Sequence, residues 1–189
     1  MELLKNRILK DGEIIENRIL KVDSFLNHQL DVNLFNEIGK EFKRRFEDQE
    51  VTKILTIETS GIAIACIAAQ YFNVPVVFAK KHAGGNMDKD VYESRVYSFT
   101  KKSEYKIKVS EKYIKAEDKI LIIDDFLASG SAISGLIDIV EKANAVISGV
   151  GIVIEKSFQG GRELILNKGI KLESLAVISK FDQNTVIFK

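Results

Sequence analysis

The segment Ile120-Leu-Ile-Ile-Asp-Asp-Phe-Leu-Ala-Ser-Gly-Ser-Ala132 joins four apolar residues, two adjacent acids and a loop of small residues. The apolar residues, three of them β-branched, predict a buried strand. Asp124 and Asp125 stand at its carboxyl end, where carboxylates can accept hydrogen bonds from a diol or approach a magnesium ion. The loop 128–132 has no bulky side chain, so its backbone N–H groups can surround a phosphate at the positive end of a following helix. Together these parts predict a site for a ribose 5-phosphate group.

A simpler interpretation of the same residues needs no ligand. In it, Asp124 and Asp125 end a strand, and Ser129 and Ser131 cap a helix. An isolated Asp-Asp or Ser-Gly-Ser favours that interpretation. Their combination directly after four apolar residues favours a ligand site.

Further short apolar runs lie on both sides of this segment, at 53–57, 75–79 and 146–154, and they predict buried parallel strands. Helix-like stretches separate the runs, at 61–71 and 131–143. Two more strands are predicted at 175–179 and 185–188. Alternating strands and helices indicate an α/β fold, with a central, mostly parallel sheet flanked by helices and ligands at the carboxyl ends of the strands.

The remaining segments are an N-terminal region and one insertion. Residues 1–9 predict a short helix, and Asp31 is a suitable N-cap for a second helix with apolar residues at helical spacing up to Phe46. Residues 81–105 interrupt the strand and helix alternation, and 92–100 with 105–110 alternate like a hairpin. We therefore predict one domain over 1–189, with a helical hood and flanking elements in about the first 50 residues and a mobile insertion near 81–105 in the core that follows.

A second loop, Glu58-Thr59-Ser60-Gly61, lies between the strand 53–57 and a helix of small residues. Its N–H groups can hold an anion, although such a turn is also an ordinary connection from strand to helix. Two anion-binding loops on neighbouring strands would suit a substrate with phosphate at both ends.

Composition excludes several other classes of protein. The 28 Lys and Arg residues nearly balance 27 Asp and Glu residues, so no basic surface for nucleic acid is expected. No stretch reaches the roughly 20 apolar residues of a membrane span, so we expect a soluble, cytoplasmic protein. Cys66 is the single cysteine and there are two histidines, which excludes an internal disulfide and a multi-histidine metal site within one chain.

With these residues in view, the chain resembles the type I phosphoribosyltransferases, whose signature is an apolar strand, two acids and a small-residue loop. The sequence Asp-Asp-Phe-Leu-Ala-Ser-Gly-Ser-Ala at 124–132 is similar to the members of that family that use xanthine, and the likeness extends along the whole chain. The resemblance implies transfer of a phosphoribosyl group from 5-phospho-α-D-ribose 1-diphosphate to xanthine. It also implies Mg²⁺ bound with the diphosphate donor, and a homodimer.

The resemblance assigns roles to individual residues. It implies a 5-phosphate loop and two ribose-binding acids, which are Ala128, Ser129, Gly130, Ser131 and Ala132, and Asp124 and Asp125. It implies contacts to the diphosphate from Glu58, Thr59, Ser60, Gly61, Lys80 and Lys81. It implies contacts to the purine from Leu20, Asn27 and Lys156. Without the resemblance, Leu20 would be a core residue, Asn27 a turn cap and the lysines solvated.

Two alternatives remain open at this point. One is an enzyme of the same type that uses adenine, guanine or hypoxanthine. The other is a non-catalytic regulator that senses the diphosphate donor. Residues 1–50 offer about two helix-like segments and no excess of positive charge, which favours an enzyme over a DNA-binding regulator.

Overall fold

The computed structural model describes residues 1–81, 90–98 and 103–189. The elements along the chain are α1 (Glu2–Asp11), β1 (Glu13–Ile15), β2 (Ile19–Lys21), a π-helical turn (Asp23–Asn27), α2 (Val32–Arg45), β3 (Lys53–Ile57), α3 (Gly61–Phe72), β4 (Val76–Ala79), β5 (Val91–Ser98), β6 (Ser103–Ser110), β7 (Lys119–Leu127), α4 (Ser131–Lys142), β8 (Val146–Lys156), a 3₁₀ turn (Ser157–Gln159), α5 (Gly161–Leu166), β9 (Leu172–Asp182) and β10 (Thr185–Phe188).

Six strands form the central sheet in the order β10-β9-β8-β7-β3-β4. All neighbouring pairs are parallel except β9 and β10. The predicted mostly parallel sheet with flanking helices is therefore confirmed. From β3 the chain crosses outward to β4, and it later returns to β7 on the opposite side of β3. The direction of winding thus reverses between β3 and β7, and open α/β sheets bind ligands at such a point.

Strand β7 is covered on both faces, which explains its continuous apolar run. Leu121 and Ile123 belong to a core cluster that includes residues of α1, α2 and α3. Ile120 and Ile122 belong to a second cluster, which includes residues of α4, β5 and β6. The sheet is therefore held between two separate apolar layers.

Two glycines of β8 let two phenylalanine rings pack closely against the sheet. One ring belongs to Phe42 of α2, and the other to Phe46, directly after α2. A Cβ atom at Gly151 would lie 2.9 Å from Cε1 of Phe42, and a Cβ atom at Gly149 would lie 2.5 Å from Cε1 of Phe46. Both phenylalanines are fully buried. Glycine at these strand positions is therefore required by packing, since the ring occupies the space of a side chain.

The N-terminal region follows the prediction in part. Helices α1 and α2 are confirmed, and the Asp31 carboxylate accepts the N–H of Leu34 at 3.0 Å as an N-cap. Between these helices the chain forms a β1–β2 hairpin and a π-helical turn, which the prediction of a helical hood omitted. Strands of three residues are too short to display a period in the sequence.

The insertion contains the predicted hairpin. Strand β5 pairs with β6 in antiparallel register, and both pack on α4. A Cβ atom at Gly135 of α4 would lie 2.5 Å from Cγ2 of Val96 and 3.1 Å from Cδ1 of Ile107. The rest of the insertion that we predicted to be mobile, 82–89 and 99–102, lies outside the described residues. Within the described ranges, no helix is both long and apolar enough to cross a membrane.

Replacing Phe42 by alanine tests the packing of α2 on the sheet. The buried ring would leave a cavity above Gly151, and we expect the free energy of unfolding to fall by about 3–5 kcal/mol in urea denaturation. Lys40→Ala, on the exposed side of the same helix, should change it by less than about 0.5 kcal/mol. Equal losses in the two variants would contradict this account of the packing.

Candidate active site

The two acids lie within β7 rather than after it. The sequence predicted a strand that ends at Ile123, whereas β7 continues to Leu127. The extension exists because β8 continues to pair with β7, from Asp124 opposite Ile152 to Leu127 opposite Glu155. The pairing of β7 with β3 runs from Lys53–Ile120 to Leu55–Ile122. The acids therefore stand beyond this pairing, where the winding of the sheet reverses.

Asp124 is almost completely buried, with 5% of its surface exposed. Its Oδ1 atom accepts the backbone N–H of Asp125 at 3.0 Å, and Oδ1 of Asp125 accepts the N–H of Phe126 at 2.9 Å. Burial raises the pKa of Asp124 well above its ordinary value, and the charge of Asp125 raises it further. Burial also raises the pKa of Asp125, while the Lys81 ammonium opposes both shifts. A raised pKa favours the protonated form of a carboxyl group, which can donate a hydrogen bond as well as accept one. The pair can therefore donate hydrogen bonds to hydroxyl groups and accept hydrogen bonds from them.

The small-residue loop begins α4 as the sequence predicts. Gly130 has a φ of +84°, a conformation that L side chains rarely adopt. Its carbonyl accepts the N–H of Ser134 at 2.8 Å, which starts the helix, and the hydroxyl oxygens of Ser129 and Ser131 are 3.0 Å apart. The first N–H groups of a helix have no partner within it, so they are available to an anion. All five residues of the loop 128–132 line a cavity of about 720 Å³.

The second loop connects β3 to α3 and lies against Asp124. A Cβ atom at Gly61 would be 2.1 Å from Oγ1 of Thr56 and 3.0 Å from Oδ1 of Asp124. Oγ1 of Thr56 is buried and has no hydrogen-bond partner among the described residues. Only glycine at position 61 permits this approach, which brings the first turn of α3 beside the acids.

Glu58 ties the second loop to the end of β4. Its N–H donates to the carbonyl of Ala79 at 3.1 Å, and its carboxylate accepts the N–H of Lys81. The side chains of the two predicted diphosphate contacts, Lys80 and Lys81, have different neighbours. The Lys81 ammonium lies 5.6 Å from the ring centre of Tyr105, whereas the Lys80 ammonium lies 6.0 Å from that of Phe78, an exposed residue. The charge of Lys81 acts on both acids and lowers the pKa of each.

Lys156, the last residue of β8, also lines the 720 Å³ cavity. Its ammonium lies 5.7 Å from the ring centres of both Phe126 and Phe181. Burial lowers the pKa of Lys156, and the positive charge of Arg18 lowers it further. Aromatic faces thus hold this cation in place without neutralising it.

Leu20 and Asn27, the other two predicted purine contacts, are not among the residues that line the cavity. The Leu20 side chain is buried in the core cluster with α1 and α2. Asn27 ends the π-helical turn, and its Oδ1 atom is buried without a hydrogen-bond partner in the described part of the chain. From the same N-terminal region, Arg18 and Ile19 of the β1–β2 hairpin line the cavity instead.

Several residues that line the cavity were absent from the sequence-based set: Arg18, Ile19, Val96, Tyr97, Tyr105, Phe126, Leu127, Ile133 and Gln159. Phe126 follows the two acids directly in the sequence, and that position indicates that it lies near the site. Tyr105 lies in the predicted hairpin, but no local pattern shows that the hairpin folds toward β7.

The described residues contain no group of three or more His, Cys, Asp and Glu side chains that would hold a metal ion. The adjacent carboxylates of Asp124 and Asp125 fit Mg²⁺ that a substrate phosphate also binds, since this ion commonly takes one or two carboxylates.

Comparison with known proteins gives a consistent result. The family described as phosphoribosyl transferase domain matches residues 22–174. A xanthine phosphoribosyltransferase from Clostridium tetani is 70% identical over 190 residues, covering 100% of both chains, and one from Clostridium novyi is 68% identical over 189 residues with the same coverage.

Among solved structures, this chain is similar to adenine phosphoribosyltransferases at low identity. The enzyme from Trypanosoma brucei, in complex with AMP, pyrophosphate and ribose-5-phosphate, has a TM-score of 0.79 at 16% identity, covering 96% of this chain and 82% of that one. The enzyme from Saccharomyces cerevisiae has a TM-score of 0.74 at 18% identity, covering 93% of this chain and 99% of that one. At such identities, the likeness supports the fold.

The burial of Asp124 predicts a pH-dependent stability. Because its pKa is raised on folding, the group stabilises the folded chain at low pH, and this contribution is lost as pH rises through the pKa of the folded state. Asp124→Asn removes the ionisation and keeps the shape. We therefore expect its melting temperature to exceed that of the parent by more at about pH 8 than at about pH 5.

Differential scanning calorimetry at the two pH values checks this result. Asp182→Asn, at an exposed acid that pairs with Lys180 at 3.1 Å, is the matched control and should leave the melting temperature nearly unchanged. An Asp124→Asn variant that is less stable than the parent at both pH values would show that the buried, ionised carboxylate does not destabilise the folded chain.

Proposed function

The chain belongs to the phosphoribosyltransferase family, and on that premise we propose that it transfers the 5-phosphoribosyl group of 5-phospho-α-D-ribose 1-diphosphate to xanthine, yielding xanthosine 5′-phosphate and diphosphate. The observation that carries this proposal is one cavity that both the loop 128–132 and Lys156 line, together with Phe126 and Leu127, which follow Asp124 and Asp125 directly on β7. High identity over the full length to proteins named for xanthine supports the choice of base.

We propose one orientation for the donor in this site. The N–H groups of the loop 128–132 would receive the 5-phosphate, because they lie at the start of α4. Asp124 and Asp125 would accept hydrogen bonds from the ribose hydroxyls. The diphosphate would then lie toward Glu58–Gly61 and Lys81, since these residues border the acids on the side of β3 and β4. Lys80, whose ammonium lies beside the exposed Phe78, would meet the end of the diphosphate that faces solvent.

Attack by a purine nitrogen on the anomeric carbon forms a bond to nitrogen as the bond to the diphosphate oxygen breaks. Positive charge develops on the sugar, by analogy with glycoside cleavage, and negative charge gathers on the departing diphosphate. The carboxylates of β7 face the sugar, while the N–H groups of the second loop and the Lys81 ammonium face the leaving group. These fixed groups need little rearrangement during reaction. This is the property that electrostatic catalysis requires.

We also propose that magnesium accompanies the donor. Asp124 and Asp125 would contribute protein oxygens to the ion, beside oxygens of the diphosphate. When bound there, the ion supplies positive charge that stabilises the departing diphosphate.

Lys156 explains why an oxopurine suits the pocket. Xanthine has exocyclic oxygens at C2 and C6, and an ammonium group can donate hydrogen bonds to such oxygens. Adenine has an exocyclic amine instead, which is itself a donor and would oppose the cation. Phe126 and Phe181 present apolar surface near the ammonium, which suits a flat ring. Leu20 and Asn27 remain predicted purine contacts, with the unpartnered Oδ1 of Asn27 as the supporting observation.

The arrangement in solution is also a proposal. We propose a homodimer that acts in the cytoplasm without nucleic acid. Helix α3 supports the dimer, because Ile62 and Ile67 leave apolar surface partly exposed on a helix that is apolar all round.

Replacing Asp125 by asparagine tests the role of the acids. The substitution keeps the size of the side chain and removes its charge, and we expect kcat for diphosphate release with xanthine to fall about a hundredfold. A coupled diphosphate assay measures this rate. Asp48→Asn, at an exposed acid that follows α2 and pairs with Lys171 at 2.6 Å, should retain parental kcat. Unchanged turnover in the Asp125→Asn protein would remove the proposed role.

Replacing Lys156 by methionine tests base recognition. Methionine retains the apolar stem between the two rings but cannot donate to an oxygen, so kcat/KM for xanthine should fall about a hundredfold. Binding of ribose 5-phosphate, measured by calorimetry, should stay at the parental value. Lys180→Met, at an exposed lysine, is the control.

A panel of purine and pyrimidine bases extends the same experiment to the alternatives. A parental preference for adenine, guanine or hypoxanthine would overturn the choice of xanthine. Binding of the diphosphate donor without diphosphate release with any base would instead indicate a non-catalytic sensor.

A further inference from the structure

A buried ion pair lies directly behind the cavity. Glu155, next to Lys156 on β8, has 0% of its surface exposed. Its Oε1 accepts Nε–H of Arg162 at 2.7 Å, and its Oε2 accepts Nη2–H of the same arginine at 2.6 Å. The hydroxyl of Ser174 on β9 also donates to Oε2, at 2.5 Å. The Arg162 side chain is 28% exposed, so the pair joins a fully buried carboxylate to a partly exposed guanidinium. Desolvation of the carboxylate opposes the attraction within the pair, so net stability alone does not account for it.

Arg162 is joined to the 5-phosphate loop through its neighbour in the chain. Gly161 begins α5, and its N–H donates to the carbonyl of Ala128 at 3.1 Å. A Cβ atom at Gly161 would lie 2.5 Å from that carbonyl oxygen and 2.9 Å from the backbone nitrogen of Gly130. The first residue of α5 therefore touches the backbone of the loop at two points.

We propose that Arg162, held by Glu155, is a positioning residue for the 5-phosphate loop. The two parallel hydrogen bonds fix the orientation of the guanidinium and, through the backbone, the place of Gly161 against Ala128 and Gly130. This inference rests on the proposed function, because it assumes that the loop binds the 5-phosphate. The N–H groups of the loop must point toward the phosphate oxygens to bind them. Loss of the positioning contact should therefore weaken binding of the 5-phosphate in particular.

The diphosphate end of the site does not share this support. Its contacts run from Glu58 to Ala79 and Lys81 at the end of β4, on the other side of β7. Loosening of Arg162 should therefore affect the 5-phosphate and leave the diphosphate end unchanged. A merely structural role would affect both ends alike or neither.

The experiment compares two ligands that each occupy one end of the site. Ribose 5-phosphate and inorganic pyrophosphate with magnesium are titrated separately into the full chain by calorimetry. Arg162→Lys keeps the positive charge opposite Glu155 but loses the two-pronged hydrogen bond. We expect its dissociation constant for ribose 5-phosphate to rise about tenfold and that for pyrophosphate to change less than about twofold.

Arg44→Lys is the matched control for this substitution. Arg44 also donates two hydrogen bonds to one carboxylate, that of Glu41, with both distances 2.9 Å, but it lies on the exposed side of α2. The same chemical change there should leave both dissociation constants at parental values.

Gly161→Ala tests the proposal without altering the ion pair. Its methyl group must displace the backbone of the loop, so the dissociation constant for ribose 5-phosphate should rise by about tenfold or more, again without change for pyrophosphate. Gly160→Asn is the control in the adjacent residue, because a Cβ atom there meets nothing within 4 Å and asparagine tolerates the φ of +79°.

The outcomes separate the positioning role from the proposed function. Parental affinity for ribose 5-phosphate in both Arg162→Lys and Gly161→Ala would overturn the positioning role while leaving the function intact. Equal losses for both ligands would overturn it as well, because they would indicate a general structural defect. A parent chain that neither binds ribose 5-phosphate nor releases diphosphate would overturn the proposed function together with this inference.

Discussion

The carboxyl group of Asp124 has almost no contact with water, although it lies beside a second acid within a strand that is covered on both faces. Burial and the charge of Asp125 together raise its pKa, so the folded chain holds an ionisable pair where an apolar side chain would be more stable. The surrounding structure supplies what this pair needs: backbone N–H groups from Asp125 and Phe126, and the Lys81 ammonium. Stability is thus reduced at the point where the proposed chemistry requires charge.

Close backbone approach at glycines assembles the site around that pair. Gly61 lets α3 begin against Thr56 and Asp124, and Gly161 lets α5 begin against Ala128 and Gly130. Each contact brings a backbone segment to a distance that a Cβ atom would prevent. The two anion loops therefore depend on contacts between elements that are distant in sequence, in addition to the small residues within the loops themselves.

Local groups account for recognition of a polyanion by a chain whose formal net charge is +1. Helix N-terminal N–H groups carry partial positive charge and need no basic residue. Two of the cations near the cavity and the acids, Lys81 and Lys156, lie beside aromatic rings. Aromatic surface orients an ammonium while leaving its charge available to a ligand.

Residue order and spacing alone predict most strands and helices of the core, the paired acids and the small-residue loop, because each depends on residues that are adjacent or regularly spaced. The apolar run before Asp124 predicted β7, and the small residues after Leu127 predicted the loop that begins α4. The sequence did not reveal the β1–β2 hairpin, whose strands are too short to have a period, or the extension of β7 through Leu127.

Which side chains come into contact depends on the three-dimensional fold. It directed Lys81 toward the acids and Lys80 toward Phe78, placed Arg18 at the cavity and Leu20 in the core, and joined Glu155 to Arg162 behind the loop. These contacts depend on the pairing of β8 with β7 and on the packing of helices across the sheet. Such long-range relations leave no periodic signal in the chain, since each partner looks like an ordinary core or surface residue in its own segment.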